Sequence, residues 1–167
     1  FNMATVTLKG NPWNTNGELP KVGDNAPEFE LKKADLSLTH LSDYLGSSVI
    51  LNIFPSIDTA TCAASVREFN KRAASLVNTK VICVSRDLPF AQKRFCGSEG
   101  IENVITASDF ATGDFGRKYG VELLDGPLAH LHARAIVVLD ENGIVKYTEL
   151  VSEIADEPYY EAAFAAL

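Results

Sequence analysis

The sequence is poor in cysteine and has no long apolar run and no cluster of positive charge, and each absence excludes a class of protein. Its 167 residues include only three cysteines, too few for the disulfide framework of a small secreted protein. No segment approaches the roughly 18 uninterrupted apolar residues of a membrane-spanning helix. The lysines and arginines are scattered and the net charge is −7, which argues against a nucleic-acid-binding surface. We therefore expect no nucleic acid and no membrane as partner.

The spacing of the cysteines and histidines also argues against a metal site. Cys62, Cys83 and Cys96 include no Cys-x-x-Cys pair, and His130 and His132 are only two residues apart. Zinc sites in proteins are typically built from closely spaced ligand pairs. No glycine-rich phosphate-binding loop is present either. We expect neither a metal ion nor a nucleotide cofactor.

What the chain does contain is enough apolar mass for a core, with 46% hydrophobic and 22% charged residues. Its length is that of one domain, and no linker or internal repeat divides it, so we predict a single domain over residues 1–167. Phe1 and Asn2 precede Met3, which we interpret as the natural start. A cytoplasmic location is favoured, because a periplasmic one would require an export signal that had been removed.

The order of apolar runs and turn residues predicts an α/β fold. The predicted strands are Thr5–Leu8, Trp13–Thr15, Phe29–Leu31, Ser48–Phe54, Lys80–Ser85, Asn103–Thr106, Ala133–Leu139 and Ile144–Val151. The predicted helices are Leu38–Leu45, Thr59–Leu76, Leu88–Phe95 and Pro158–Leu167. Strands and helices alternate in the middle of the chain, which is typical of right-handed crossovers in a parallel core. We predict a thioredoxin-like fold with a mixed central sheet flanked by helices, and an N-terminal β-hairpin extension over residues 1–20.

The most informative segment is the junction between the strand Ser48–Phe54 and the helix that follows it. Pro55 closes the strand, and Cys62 falls in the first turn of the helix. Free backbone N–H groups and the positive end of the helix dipole favour a thiolate there. Thr59 can cap the helix and hydrogen-bond near the sulfur, and Pro55 can shield the site from water. Position alone leaves the alternatives open, namely a buried apolar cysteine, a plain N-cap and a strand terminator.

Arg134 interrupts the apolar run Ala133–Leu139, which otherwise indicates a buried strand. A guanidinium in such a strand needs an anionic partner. That partner is either a nearby carboxylate or a thiolate at Cys62, in which case Arg134 stabilises the thiolate and orients a polar oxygen ligand.

The other two cysteines differ in their surroundings. Cys96 is followed by Gly97, which we expect to end its helix, so its thiol should be accessible. Cys83 lies between two apolar residues of a strand and is predicted to be an inert core residue. A disulfide requires α-carbons about 5.5 Å apart, which two helix-associated cysteines reach only after local unwinding.

Pro55-x-x-x-Thr59-x-x-Cys62, together with the distant Arg134, resembles the active-site signature of the peroxiredoxins. Further segments resemble the bacterial thiol peroxidase subfamily, the atypical two-cysteine peroxiredoxins. These segments are Asn52–Asp58, Asp87–Gln92, Arg94–Gly97 and Asp125–Leu128. The resemblance extends from about residue 5 to the C-terminus.

This resemblance implies a peroxidase that reduces hydrogen peroxide and organic hydroperoxides through a sulfenic acid on Cys62. It implies that Cys96 resolves this acid in an intrachain Cys62–Cys96 disulfide, which thioredoxin reduces, and that Pro55, Thr59 and Arg134 support the reaction. It further implies a homodimer, a dispensable Cys83 and a role in antioxidant defence.

Two other functions remain open at this point. A general disulfide exchanger of the thioredoxin type would need a Cys-x-x-Cys pair at the helix start, where Thr59 takes the first position. A redox sensor would use the same disulfide to change shape, and peroxide consumption would then stop after one equivalent.

Overall fold

A computed structural model describes residues 2–167, so Phe1 lies outside the described residues. The strands are β1 (Thr5–Leu8), β2 (Asn11–Asn14), β3 (Glu30–Lys33), β4 (Leu38–His40), β5 (Ser48–Ile53), β6 (Thr79–Ser85), β7 (Ile105–Ser108), β8 (Ala135–Leu139) and β9 (Val145–Leu150). The helices are α1 (Ala60–Ala73), α2 (Pro89–Glu99), α3 (Asp114–Tyr119) and α4 (Tyr160–Ala165), with a 3-10 helix at Leu41–Tyr44.

Seven strands form one mixed sheet in the order β4-β3-β7-β6-β5-β8-β9. β5, β6 and β7 are mutually parallel, and α1 and α2 make the crossovers between them. β8 and β9 pair antiparallel on one side, and β3 and β4 do so on the other. β1 and β2 form a separate hairpin. The predicted thioredoxin-like fold, with its mixed sheet and N-terminal hairpin, is therefore confirmed, whereas the single domain stays a prediction.

The two faces of the sheet carry two apolar clusters, because successive side chains of a strand point to opposite faces. On β5, Ile50 belongs to the cluster under α1, α2 and α4, and Leu51 belongs to the cluster under α3. Val66 and Phe69 fasten α1 to the first cluster, and both are fully buried. This packing fixes the position of the helix that carries Cys62. None of the helices in residues 2–167 is long and apolar enough to cross a bilayer.

The predicted helix Leu38–Leu45 is wrong in its first half. Leu38–His40 is strand β4, which pairs antiparallel with β3. Only the following four residues turn, as a 3-10 helix, and the Asp43 carboxylate accepts the His40 backbone N–H at 2.8 Å. Pairing with the neighbouring strand outweighs the weak helical pattern of so short a segment.

The predicted stop of the second core helix at Gly97 is also wrong. α2 continues to Glu99 and ends at Gly100, which has the left-handed conformation (φ 66°) of a helix C-terminus. Cys96 therefore lies inside the helix rather than at its end. The turn predicted between β8 and β9 is present, with Gly143 at φ 77° and its N–H donating to the Asp140 carbonyl at 3.0 Å.

Gly100 and Gly120 provide a matched test of how tightly the loops pack. Both end a helix in the left-handed region, at φ 66° and 71°. A Cβ at Gly100 would meet nothing within 4 Å, whereas one at Gly120 would overlap the Glu18 backbone. We expect Gly100→Ala to lower the free energy of unfolding by about 1–2 kcal/mol and Gly120→Ala to lower it considerably more, as measured by denaturant titration. Equal losses would contradict the close approach at Gly120.

Candidate active site

Cys62 is fully buried and lies in the first turn of α1. β5 ends at Ile53, the chain passes through the buried Phe54 and Pro55, and the helix begins at Ala60. The sequence prediction of a cysteine near the N-terminus of a helix after a buried strand is thus correct in its geometry. The free N–H groups of that turn point towards the region that an anionic sulfur would occupy.

The register between β5 and β8 brings Arg134 to this turn. Ile53 pairs with Ala135 at the end of the two antiparallel strands, so Arg134 lies beside the segment that leads to Cys62. Arg134 is the residue before β8 rather than part of the strand, yet its side chain is only 1% exposed. Its burial confirms that it interrupts an apolar environment.

The Arg134 guanidinium contacts the sulfur and a main-chain carbonyl. Nη2 donates to the Cys62 Sγ at 3.3 Å. Nε and Nη2 both donate to the Ile154 carbonyl, at 3.0 and 2.9 Å, and the buried Nη1 has no hydrogen-bond partner within residues 2–167. Among the described residues no carboxylate forms an ion pair with this guanidinium. Of the two partners that the sequence left open, the structure shows the sulfur.

Thr59 is the N-cap residue of α1 by position, but its side chain does not cap the helix. The hydroxyl donates to the Ser56 carbonyl at 2.9 Å instead. Its oxygen lone pairs remain available to a ligand, and the side chain is exposed at the mouth of the site. The predicted capping bond is therefore wrong, while the predicted location beside the cysteine is right.

A pocket of about 210 Å³ opens above the buried sulfur. Its wall is mostly apolar, with Arg134 as the charged group, and contains residues from the hairpin, the α1 junction and the segment after β9. The lining residues are Leu8, Pro55, Thr59, Ala60, Thr61, Leu128, Arg134, Ile154 and Ala155. Pro55 is buried and shields one side, as predicted. The pocket has room for an apolar group attached to a small polar head.

Asp87 is a residue of the site region to which the sequence prediction gave no role. Its carboxylate accepts the Ser56 hydroxyl and the Ile57 backbone N–H, both at 2.7 Å. Asp87 stands between β6 and α2, so these bonds fasten the loop before α1 to the start of α2. Its place between a buried strand and Leu88-Pro89, the start of a helix, was a usable signal, because such junctions often carry an anchoring carboxylate.

Cys96 does not line the pocket above Cys62. Its thiol is half-buried and borders a separate cleft of about 290 Å³ between α2 and β7. Burial raises the pKa of this thiol, and the Thr106 hydroxyl opposes that effect through a hydrogen bond. The predicted accessibility is thus only partial.

Two ion pairs hold α1 and α2 together on the surface between the cysteines. Arg94 binds Asp58 at 2.7 Å, and Arg67 binds Glu99. Asp58, which would oppose a nearby thiolate, therefore has its own cation. Both pairs are solvent-exposed and contribute little individually, but both connect segments that must separate if the cysteines are to meet.

Cys83 is fully buried in β6, where burial raises the pKa of its thiol to about 12, opposed by a hydrogen bond from Asn52. Such a thiol stays protonated and unreactive at neutral pH, in agreement with the prediction of an inert core residue. No group of three His, Cys, Asp or Glu side chains in residues 2–167 is arranged to hold a metal ion.

Comparisons with known proteins agree with this site. The family described as Redoxin matches residues 21–164. A thiol peroxidase of Mycobacterium tuberculosis is 60% identical over 165 residues, 99% of each chain, and one of Corynebacterium glutamicum is 53% identical over the same shares. The crystal structure of a peroxiredoxin-like protein from Aquifex aeolicus superposes with a TM-score of 0.92 at 42% identity, covering 99% of this chain and 98% of that one.

The fold and the helix-bound cysteine beside a buried arginine define a redoxin. The chain belongs to the Redoxin family and, within it, to the bacterial thiol peroxidases, which are peroxiredoxins.

Arg134→Lys tests whether the forked contact to the sulfur and the Ile154 carbonyl matters. An ammonium is a single donor centre and cannot serve both partners with the same geometry. We expect the rate constant for oxidation of Cys62 by hydrogen peroxide to fall by about 100-fold, measured from the loss of alkylatable thiol after rapid mixing. Arg72→Lys, which alters an exposed ion-paired guanidinium far from the pocket, should leave it unchanged. A wild-type rate in the Arg134 variant would contradict this role.

Proposed function

We propose that this thiol-dependent peroxidase reduces hydroperoxides with the sulfur of Cys62 and closes its cycle through Cys96. The observation that carries the proposal is the 3.3 Å contact between the Cys62 Sγ and the buried Arg134 guanidinium at the start of α1. A buried positive charge is costly without an anion nearby. A thiolate at Cys62 is the anion that balances it, so the environment that needs the charge also creates the nucleophile.

The Cys62 thiolate attacks the terminal oxygen of the hydroperoxide. The O–O bond breaks as the S–O bond forms, the sulfur becomes a sulfenic acid after it takes a proton, and the other oxygen leaves as water or alcohol once protonated. The free Nη1 of Arg134 and the exposed Thr59 hydroxyl are the groups proposed to hold the two peroxide oxygens in line. Donors aimed at developing negative charge lower the barrier most.

Cys96 is the proposed resolving residue. Its sulfur attacks the sulfenic sulfur of Cys62, water leaves, and an intrachain disulfide forms. Because Cys96 borders a different cleft and lies within α2, this step requires the helix, the first turn of α1, or both to unwind. A dithiol of the thioredoxin type then reduces the disulfide by exchange.

The assembly and the location of the protein are part of the same proposal. We propose a homodimer, for which the exposed Leu88 and Phe90 at the start of α2 offer apolar surface, 51% and 65% exposed in the single chain. We propose a cytoplasmic location, where thioredoxin is kept reduced.

The first test is steady-state hydroperoxide consumption with thioredoxin, thioredoxin reductase and NADPH. We expect Cys62→Ser and Cys96→Ser to abolish turnover, and Cys83→Ser to retain it because that thiol is buried and protonated. Cys96→Ser should still consume about one equivalent of peroxide, since the first step does not need the second thiol. Wild-type turnover in Cys62→Ser would refute the proposal.

Gly97→Ala tests the unwinding of α2. Gly97 is helical with open space around it, so alanine should stabilise the helix by about 0.5–1 kcal/mol. If unwinding precedes disulfide formation, the closing step should slow by about two- to five-fold, with oxidation of Cys62 itself unchanged.

Gly100→Ala is the matched control for this step, because it strains the left-handed end of the same helix. It should change the closing rate in the opposite direction. Rapid-quench alkylation followed by mass analysis separates free, sulfenic and disulfide forms. A closing rate that is the same in both variants would mean that α2 stays intact during the reaction.

A further inference from the structure

The segment Ser152–Ala155, which we name the strap, connects the N-terminal hairpin to the active site. On the side of the site, the Ile154 carbonyl accepts both donors of Arg134, and the Ala155 carbonyl accepts the Thr61 hydroxyl at 2.9 Å. Ile154 and Ala155 also line the pocket. The strap is therefore bound to α1 and to the residue that contacts the sulfur.

On the side of the hairpin, the strap pairs with β1 through the backbone of Thr7. The Thr7 N–H donates to the Ser152 carbonyl, and the Ile154 N–H donates to the Thr7 carbonyl, both at 2.8 Å. Val6 is buried next to Ile154 in a small apolar cluster. The middle of β1 is thus fixed by the backbone and by packing.

Glu153 fixes the tip of the hairpin, which those contacts do not reach. Its Oε1 accepts the Thr7 hydroxyl and the Gly10 backbone N–H, each at 2.9 Å. Its Oε2 accepts the Ala155 N–H, also at 2.9 Å. One carboxylate therefore binds the Lys9–Gly10 turn to the strap.

The chemistry of these bonds keeps the carboxylate ionised. The N–H groups of Ala155 and Gly10, with smaller effects from Lys9 and Thr7, hold the pKa of Glu153 at about 2. The group is consequently charged throughout the range in which the enzyme can be assayed, and its grip on the turn does not vary with pH there.

Leu8 is the residue of the hairpin that lines the pocket, and it directly precedes the Lys9–Gly10 turn. Its side chain faces the substrate space from the wall opposite the α1 junction residues. A displacement of the turn would move Leu8 and change the width of the pocket without moving the sulfur.

We propose that Glu153 is a positioning residue that sets the preference of the enzyme for hydroperoxides with a bulky apolar group, by holding Leu8 against the substrate. This inference rests on the proposed role of Cys62. Hydrogen peroxide is too small to fill the pocket of about 210 Å³ and does not need the Leu8 wall. Arg134 should keep its orientation without Glu153, because the Ile154 carbonyl is also anchored through Thr7 and Thr61.

The test compares cumene hydroperoxide with hydrogen peroxide in Glu153→Gln. The amide retains the size but offers an NH₂ group to one of the two sides, where an N–H or O–H donor already points. We expect the rate constant for oxidation of Cys62 by cumene hydroperoxide to fall by about ten-fold, and that for hydrogen peroxide by no more than about two-fold. Glu149→Gln, whose carboxylate also accepts a backbone N–H at 2.9 Å but away from the pocket, should change neither.

Two further variants separate positioning from a general loss of structure. Thr7→Val removes one donor to Glu153 and leaves the carboxylate, so it should lower the cumene hydroperoxide rate in the same direction by a smaller factor. In a Leu8→Ala background, Glu153→Gln should cause no additional loss, because the side chain through which it acts is gone.

Equal losses for the two substrates, or independent effects of the Glu153 and Leu8 changes, would overturn the inference. So would wild-type rates for both substrates in Glu153→Gln. Cys62→Ser, measured in parallel, distinguishes this failure from failure of the proposed function. If Cys62→Ser is inactive while Glu153→Gln equals wild type, only the role of Glu153 is wrong.

Discussion

The buried guanidinium of Arg134 is the group on which the arrangement of the site depends. A cation withdrawn from water destabilises the fold unless hydrogen bonds and an anion compensate it. Here the compensation comes from the Ile154 carbonyl, which accepts two of its donors, and from the Cys62 sulfur. The need to satisfy one side chain thus draws three distant segments of the chain together. The same need favours the charged form of the sulfur, so folding and nucleophile activation share one cause.

The sheet supplies the geometry that this interaction requires. Because β5 and β8 are adjacent and antiparallel, the end of β5 and the start of β8 lie at the same edge. The helix that follows β5 presents its N-terminus there, and the residue that precedes β8 faces it. Beyond that edge the hairpin and the strap close the remaining side of the pocket, so the reactive group lies beneath the surface while one opening remains for a small molecule.

Much of this site could be predicted from the sequence, since its main signals are local. A proline that ends a buried strand, a threonine and a cysteine in the next helical turn are all visible in eight residues, Pro55–Cys62. The partners of those residues were harder to predict. The Ile154 carbonyl carries no side-chain signature, and the Thr59 hydroxyl had two plausible acceptors. Gly97 and Gly100 are equally good helix stops by type, and only packing and backbone conformation select the second.

The location of the second thiol has a consequence in time rather than in space. Cys96 lies within a folded helix beside its own cleft, so an oxidised Cys62 persists until that helix opens. During this interval another peroxide molecule competes for the same sulfur, and its success depends on concentration, whereas helix opening does not. Two successive oxidations give a sulfinic acid that disulfide exchange does not reverse. The stability of eleven residues, Pro89–Glu99, therefore sets a ceiling on the peroxide concentration at which the enzyme continues to work.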